Sequence, residues 1–227
     1  MRVDIWSDVV CPWCYVGKGR FEKALSTFEH RDQVEVLFHS FELDPDFPRE
    51  SRGETNLQML GTKYGMSPAQ ARQAEERVAG LAHAEGLGFD PERPIGNTFD
   101  IHRVMHLGLA KGVQRELIDG VNEAYFAQAR QVFDPAVITE VAEGAGLDPA
   151  SVGEVLDSDA YASEVRQDEA QARQLGISGV PFFVFDMAIG VSGAQPTELF
   201  TRALDQAWNA AQVGGRRGSE RVTRHDR

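Results

Sequence analysis

The chain alternates from its first residues: Val3 to Ser7 reads as a short strand, and Asp8-Val9-Val10-Cys11-Pro12-Trp13-Cys14 is the turn out of it. A helix is predicted from about Cys14 to Phe28, because Phe21, Ala24, Leu25 and Phe28 recur at helical spacing. Val34 to Phe41 predicts a second strand, with Val34, Val36 and Phe38 on one face and Leu37 and Phe41 on the other, the pattern of a strand buried on both faces. Strand, helix and strand in this order form a βαβ unit, which implies a parallel pair and a right-handed crossover.

Pro45 and Pro48 break the pattern, and from there to about residue 176 the periodicity is helical. Ser67-Pro68, Asp134-Pro135 and Asp148-Pro149 each supply a cap followed by proline at the first helical position. Asn97 caps a helix predicted to run through Ala110, Arg115 to Gln128 follows, and the last helix of the block reaches Leu175. Strand patterning returns at Pro181 to Phe185, turns near Asp186-Met187, and continues from Ala188 to Val191 as a hairpin. A final helix spans about Thr197 to Ala211, ahead of a polar, arginine-rich tail predicted to be disordered. Either half-sheet alone would expose an apolar face, so the order predicts one sheet interrupted by an insertion. The expected fold class is α/β, with residues 1–48 and 177–212 as one discontinuous domain, 49–176 as an inserted all-helical domain and 213–227 as the tail.

Composition narrows the partners. The 227 residues carry a net charge of -12, and a uniformly acidic surface repels phosphate backbones and anionic lipid. Nucleic acid and membrane surfaces are therefore poor partners. No run approaches the roughly 20 apolar residues of a membrane span, and the amino terminus shows no apolar stretch of signal-peptide length. The expected compartment is the cytoplasm, where a CxxC is more often catalytic or metal-binding than structural.

The only two cysteines are Cys11 and Cys14. A CxxC that opens a helix places the first sulfur among free N–H groups, where the helix dipole favours negative charge. That depresses the thiol pKa and makes Cys11 a thiolate nucleophile. Cys14, one turn on, can attack the same sulfur and resolve a mixed disulfide. Pro12 suits the first turn, and Trp13 offers an apolar contact surface beside the sulfur. The competing reading is a zinc half-site completed by His102 and His106, four apart on one helix face. Structural zinc ligands normally come on tight knuckles, whereas this pair sits in a strand-to-helix turn, so redox chemistry is preferred.

A second constellation is Gly179-Val180-Pro181 ahead of a strand. Proline cannot donate to a ladder and is tolerated at a strand's first residue or where a cis bond turns the chain. Taken alone an X-Pro bond is far more often trans. A cis bond would turn the Val180 backbone outward, where its N–H and C=O could pair with an extended substrate beside Cys11.

Together, Cys11-Pro12-Trp13-Cys14 after a first strand and Val180-Pro181 before a late one, across a helical insert, resemble the thioredoxin fold of the DsbA family. Asp8 to Cys14, Phe41-Glu42-Leu43-Asp44-Pro45 and Asn97-Thr98 ahead of His102-Arg103 are similar to its FrnE-like branch. The resemblance covers about residues 1 to 212 and implies Cys11 as nucleophile, Cys14 as resolving thiol and Pro181 as a cis-proline. The implied activity is that of a thiol-disulfide oxidoreductase, monomeric or homodimeric, acting on protein or small-molecule substrates. It needs no bound cofactor, with glutathione as a candidate co-substrate. Substrate contacts are expected from Val180, Pro181, Trp13, Pro12 and Asn97, although Asn97 most simply caps its helix. His39 reads as packing, and Glu42 and Asp44 as strand terminators. Relatives in the same superfamily that isomerise 2-hydroxychromene-2-carboxylate with glutathione carry serine where Cys11 stands. Such an isomerase acting on an aromatic or polyketide-like molecule is the alternative, and a binding module without turnover the third reading.

Overall fold

A computed structural model describes residues 1–49 and 53–222, with side chains through 212. Four strands form one sheet in the order β2-β1-β3-β4: β1 Arg2–Ser7, β2 Glu35–Ser40, β3 Phe182–Phe185 and β4 Ile189–Ser192. β1 pairs parallel with β2, Val3 opposite Val36 and Ile5 opposite Phe38, and antiparallel with β3, Ile5 opposite Phe183. The sheet thus joins both ends of the chain. Three residues, Asp186 to Ala188, join β3 to β4; Asp186 and Met187 are left-handed at φ 51° and 54°, and the Ala188 N–H closes the turn on Phe185 C=O at 3.0 Å.

Two helices lie on one face: α1 (Pro12–Thr27) and α9 (Thr197–Val222). Phe21 of α1 meets Phe183 of β3 and Phe200 of α9 at ring-centroid distances of 5.5 and 5.9 Å, and Val3, Ile5 and Phe185 complete that layer. Between β2 and β3 come α2 (Asn56–Tyr64), α3 (Pro68–Ala84), α4 (Phe99–Lys111), α5 (Gln114–Asn122, continued by a π-turn Glu123–Ala127), α6 (Pro135–Gly144), α7 (Pro149–Leu156) and α8 (Ala162–Gln174). α8 covers the opposite face, where Trp6, Val184, Ala172 and Ile177 pack together. Among the described residues no helix is long and apolar enough to cross a membrane.

The proline-led caps form as their chemistry dictates: Asp134 accepts the Ala136 N–H at 2.8 Å, Asp148 that of Ser151 at 3.0 Å, and Ser67 with Gln70 makes a reciprocal capping box. Other expectations are corrected. β2 is an edge strand, and only one of its faces is fully buried; the enclosed strands are β1 and β3, each between two neighbours. The helix expected to be capped by Asn97 starts at Phe99, with Thr98 rather than Asn97 at the N-cap position, while the Asn97 Oδ1 accepts the Phe99 N–H at 3.0 Å from one residue further out. α9 runs on to Val222 rather than ending near Ala211, because glycine weakens a helix by about 1 kcal/mol each without forcing a stop. Residues 223–227 of the expected tail lie outside the described residues.

Among the described residues the outer edge of β2 carries no further strand, and side chains occupy it. The Gln114 amide accepts from Phe38 N–H at 3.1 Å and donates to Phe38 C=O at 2.9 Å, and Asp168 accepts the Ser40 N–H at 2.8 Å. An edge so capped offers no template to another chain.

Candidate active site

The turn after β1 delivers both cysteines. Cys11 N–H donates to Asp8 C=O at 3.2 Å, and the N–H groups of Cys14 and Tyr15 return to Cys11 C=O at 3.0 and 3.2 Å, so Cys11 is the N-cap of α1 with Pro12 at the first helical position. Both cysteines are free thiols. The Cys11 side chain makes no capping bond and donates instead to Val180 C=O at 3.8 Å. The Val180-Pro181 peptide is cis. Pro181 packs behind it onto α1, where a Cβ at Gly17 would sit 3.0 Å from the proline Cγ and 3.3 Å from Ala194 Cα. Gly17 is thus the position that lets the helix and the proline loop approach.

Cys14 is buried one turn further in. Burial, and the neighbouring Cys11, push its thiol well above the usual range, against hydrogen bonds from Ser7 and the Asp8 main chain. It stays protonated at neutral pH while Cys11 fronts the opening.

Cys11, Pro12, Trp13 and Val180 line one end of a cavity of about 680 Å³. The opposite wall is α2 and α3, contributing Met59, Leu60 and Val78, and the connecting segments add Leu43, Phe47 and Ile95. Three large apolar side chains at its rim are exposed, Trp13 at 43%, Leu43 at 47% and Tyr64 at 61%. The floor is polar: Arg93 donates to Glu75 at 2.8 Å and lies over the Phe89 ring at 4.2 Å, beside Tyr125, whose phenol burial pushes up to about 12. Asn56 fastens α2 to that floor, donating its N–H to Arg93 C=O and accepting the Arg93 N–H. An apolar cavity with a few fixed polar groups beside a nucleophile is the form of a small-ligand or side-chain site.

The model of the DSBA-like thioredoxin domain matches residues 2–205. The chain belongs to that family. A solved probable DsbA oxidoreductase from Streptomyces coelicolor is 52% identical, covering 92% of this chain and 90% of its own, with a TM-score of 0.87. An uncharacterised protein of Bacillus subtilis, YwbO, is 26% identical over 215 residues, 90% of this chain and 96% of that protein. The cytosolic disulfide reductase DsbM of Pseudomonas aeruginosa, solved with GSH, shares the fold at 15% identity, with a TM-score of 0.63 over 92% of this chain and 100% of its own.

Within this DSBA-like frame the predicted residues separate. Cys11, Pro12, Trp13 and Val180 come together at the cavity, with Cys14 and Pro181 packed behind them. Asn97 does not join them: its Nδ2 donates to Phe47 C=O at 2.7 Å and its Oδ1 accepts the Phe99 N–H at 3.0 Å, so both ends of the amide serve the backbone. His102 faces Asp8 at 3.3 Å and His106 faces Asp168 at 3.1 Å, so neither joins the cysteines in a ligand set.

Sequence reasoning missed Asp8 and the buried charge cluster. His39 lies between Asp4 at 2.7 Å and Asp168 at 2.8 Å and stacks on Trp6 at 4.5 Å. Burial opposes its charge, but the two carboxylates outweigh it and raise its pKa to about 9. Glu42 is fully enclosed, and burial raises its pKa although Arg166 pairs with it. The available signal was polar residues inside strand patterns, Asp4 in β1 and His39 in β2, which need buried partners.

Proposed function

We propose that this chain is a thiol-disulfide oxidoreductase whose Cys11–Cys14 pair exchanges with disulfides or thiols of protein or small-molecule substrates. The reading is carried by one observation: Cys11, at the helix start and against Val180 C=O, opens on the cavity while protonated Cys14 lies behind it. Cys11 attacks a substrate disulfide, and Cys14 displaces the substrate sulfur to close the intramolecular disulfide; the reverse sequence oxidises a substrate dithiol. The Val180 main chain and Trp13 are the contacts for the incoming sulfur's neighbours. Glutathione fits as the thiol that recharges the pair, the cytoplasm as the compartment, and the segments Asp8 to Cys14, Phe41 to Pro45 and Asn97 to Arg103 as the mark of the FrnE-like branch.

With glutathione disulfide as probe, the Cys14→Ser variant should accumulate a mixed disulfide on Cys11, visible by mass spectrometry. Cys11→Ser should form none. Turnover that survives Cys11→Ser would refute the assignment. The reduction potential measured against glutathione then fixes the direction, about 30 mV corresponding to roughly 1.4 kcal/mol.

The size of the cavity supports a second reading, glutathione-dependent isomerisation of a small aromatic molecule, since about 680 Å³ lies within the range of ligand sites. That activity would survive Cys14→Ser and require added glutathione.

A further inference from the structure

The cavity that opens on Cys11 suits a small molecule better than a polypeptide. Its walls are side chains, Phe47, Met59, Leu60, Val78 and Ile95 among them. A main chain brought between them would carry an N–H and a C=O per residue with few partners to receive them. A protein client can pair with the Val180 main chain at the mouth, and there its backbone stops. The volume of about 680 Å³ is that of a small-ligand site.

The charges around the cavity are already matched. Lys63 meets Asp44 at 2.8 Å where the lining is half-exposed, Arg93 meets Glu75 at 2.8 Å on the floor, and Asp8 faces His102 and the Leu43 N–H. The remaining cation of the lining, Arg77, is exposed on α3, where water and salt screen it. An ionised ligand would lose its hydration here without gaining an uncommitted counter-charge inside. A neutral one loses far less.

One polar demand is left open. Arg93 is fully buried, its Nη1 donates to Asp90 C=O and its Nη2 to Glu75, and its Nε has no hydrogen-bond partner among the described residues. A buried donor left unpaired is costly, and an acceptor that reaches it recovers that cost. Tyr125, on the π-turn Glu123–Ala127, lines the cavity beside it. Burial pushes its phenol up to about 12, so at neutral pH it too is a donor. The floor therefore calls for a carbonyl or hydroxyl oxygen.

We propose that the substrate of the dithiol is a low-molecular-weight disulfide with an uncharged, largely apolar body, seated in this cavity with one sulfur at Cys11 and a carbonyl or hydroxyl oxygen on Arg93 and Tyr125. The inference rests on the dithiol-exchange reading above and narrows its substrate class. The Cys11 thiolate attacks the nearer substrate sulfur, the substrate S–S bond breaks, and one half leaves as a thiolate. Cys14 then displaces the other half from Cys11 Sγ; its proton passes to solvent, from which the departing thiolates are protonated. The pair is oxidised to its disulfide and the substrate is reduced to thiols, in one two-electron exchange. Glutathione, with its carboxylates and ammonium, recharges the pair from the mouth and does not fill the cavity.

The test compares three probes on the reduced protein, with its oxidation followed by rapid quench and mass spectrometry. They are the disulfide of N-acetylcysteine benzylamide, neutral and aromatic with carbonyl oxygens; dibenzyl disulfide, which lacks such an acceptor; and glutathione disulfide. Each rate is divided by that of the same probe with dithiothreitol, which removes intrinsic reactivity. In wild type the benzylamide disulfide should then react at least about tenfold faster than glutathione disulfide, the scale on which a hydrophobic pocket discriminates. Ala74→Phe builds a ring into the cavity from α3 and should bring that ratio to about one. Tyr125→Phe removes only the hydroxyl: it should raise the half-saturating concentration of the benzylamide disulfide about three- to tenfold and lower its selectivity over dibenzyl disulfide by the same factor. If Ala74→Phe fails to fold, the S-methyl thioether of the same benzylamide, which cannot exchange, is titrated into wild type by calorimetry. It should bind more tightly than S-methylglutathione, and equal or weaker binding overturns the cavity assignment. A wild-type preference for glutathione disulfide, or a ratio that a folded Ala74→Phe leaves intact, overturns it as well. Selectivity unmoved by Tyr125→Phe overturns the acceptor assignment. Failure of the dithiol reading is distinct: no probe would then oxidise the wild-type pair.

Discussion

Raising the pH from 6 to 9 should weaken the fold through one side chain. His39 is held between Asp4 and Asp168 at 2.7 and 2.8 Å, and although burial works against its charge, the two carboxylates raise it from 6.5 to about 9. A group whose folded value is raised contributes in full below its unfolded value and loses that contribution as the pH climbs through the folded one. A tenfold change in proton affinity is about 1.4 kcal/mol, so the interval from 6.5 to about 9 corresponds to roughly 3 kcal/mol. The low value of Asp168, where bonds from His106 and His39 overcome burial, is the same contact seen from its partner and is not added. Its own loss falls on the acid side, below the usual carboxylate range. The assay is urea unfolding of wild type and His39→Gln at pH 6, 7, 8 and 9, because the thiols titrate in both proteins and cancel in the difference. The stability gap between the two should shrink by about 2 to 3 kcal/mol across that range. A gap that stays constant would show that His39 is neutral in the folded protein and that the carboxylates do not govern it.

Further outcomes follow from packing and from the thiols. Gly17→Ala places its Cβ 3.0 Å from Pro181 and 3.3 Å from the Ala194 backbone, which should cost about 1 to 3 kcal/mol in chemical denaturation and slow exchange by displacing the proline loop. Phe21→Ala empties the centre of the ring cluster with Phe183 and Phe200 and should cost about 3 to 5 kcal/mol, visible in the melting transition. Trp13→Ala, at a side chain 43% exposed, should change stability by less than about 0.5 kcal/mol yet slow mixed-disulfide formation with apolar disulfides. Iodoacetamide at pH 7.5 should label Cys11 before Cys14, read by peptide mapping, since burial keeps the Cys14 thiol protonated.

What could be read from sequence was local. Ser67-Pro68, Asp134-Pro135 and Asp148-Pro149 announce helix starts because cap and proline act within one turn, and the cysteine pair announces its chemistry because strand, turn and helix are contiguous. α2 escaped separate notice although Thr55 and Gln58 form a capping box there, since it was not set apart within the helical periodicity that follows Pro48. The edge position of β2 was not legible, because apolar residues on both faces describe its composition and not its neighbours. Charges were the larger loss. Asp4, His39 and Asp168 meet across 35 and 129 residues, and Asp8 meets His102 across 94. No window along the chain holds both members of any of these pairs. The cavity escaped for the same reason: α2 and α3 supply side chains that become a wall only once Asn56 and Arg93 fasten them opposite Cys11.

The placement of β1 at the centre of the sheet has a consequence during synthesis. β1 is made well before β3, its antiparallel neighbour, which begins at Phe182, and Arg2 N–H finds Asp186 only across 184 positions. At about 5 to 20 residues per second on the ribosome, the interval between the end of β2 and the start of β3 lasts on the order of ten seconds. Throughout it Val3, Ile5 and Phe21 lack Phe183 and Phe200, and the completed Cys11–Cys14 turn has no proline loop opposite it. The dithiol thus exists as an open thiol pair on an unfinished sheet before it exists as a site, and its redox state in the nascent chain is set by the surroundings.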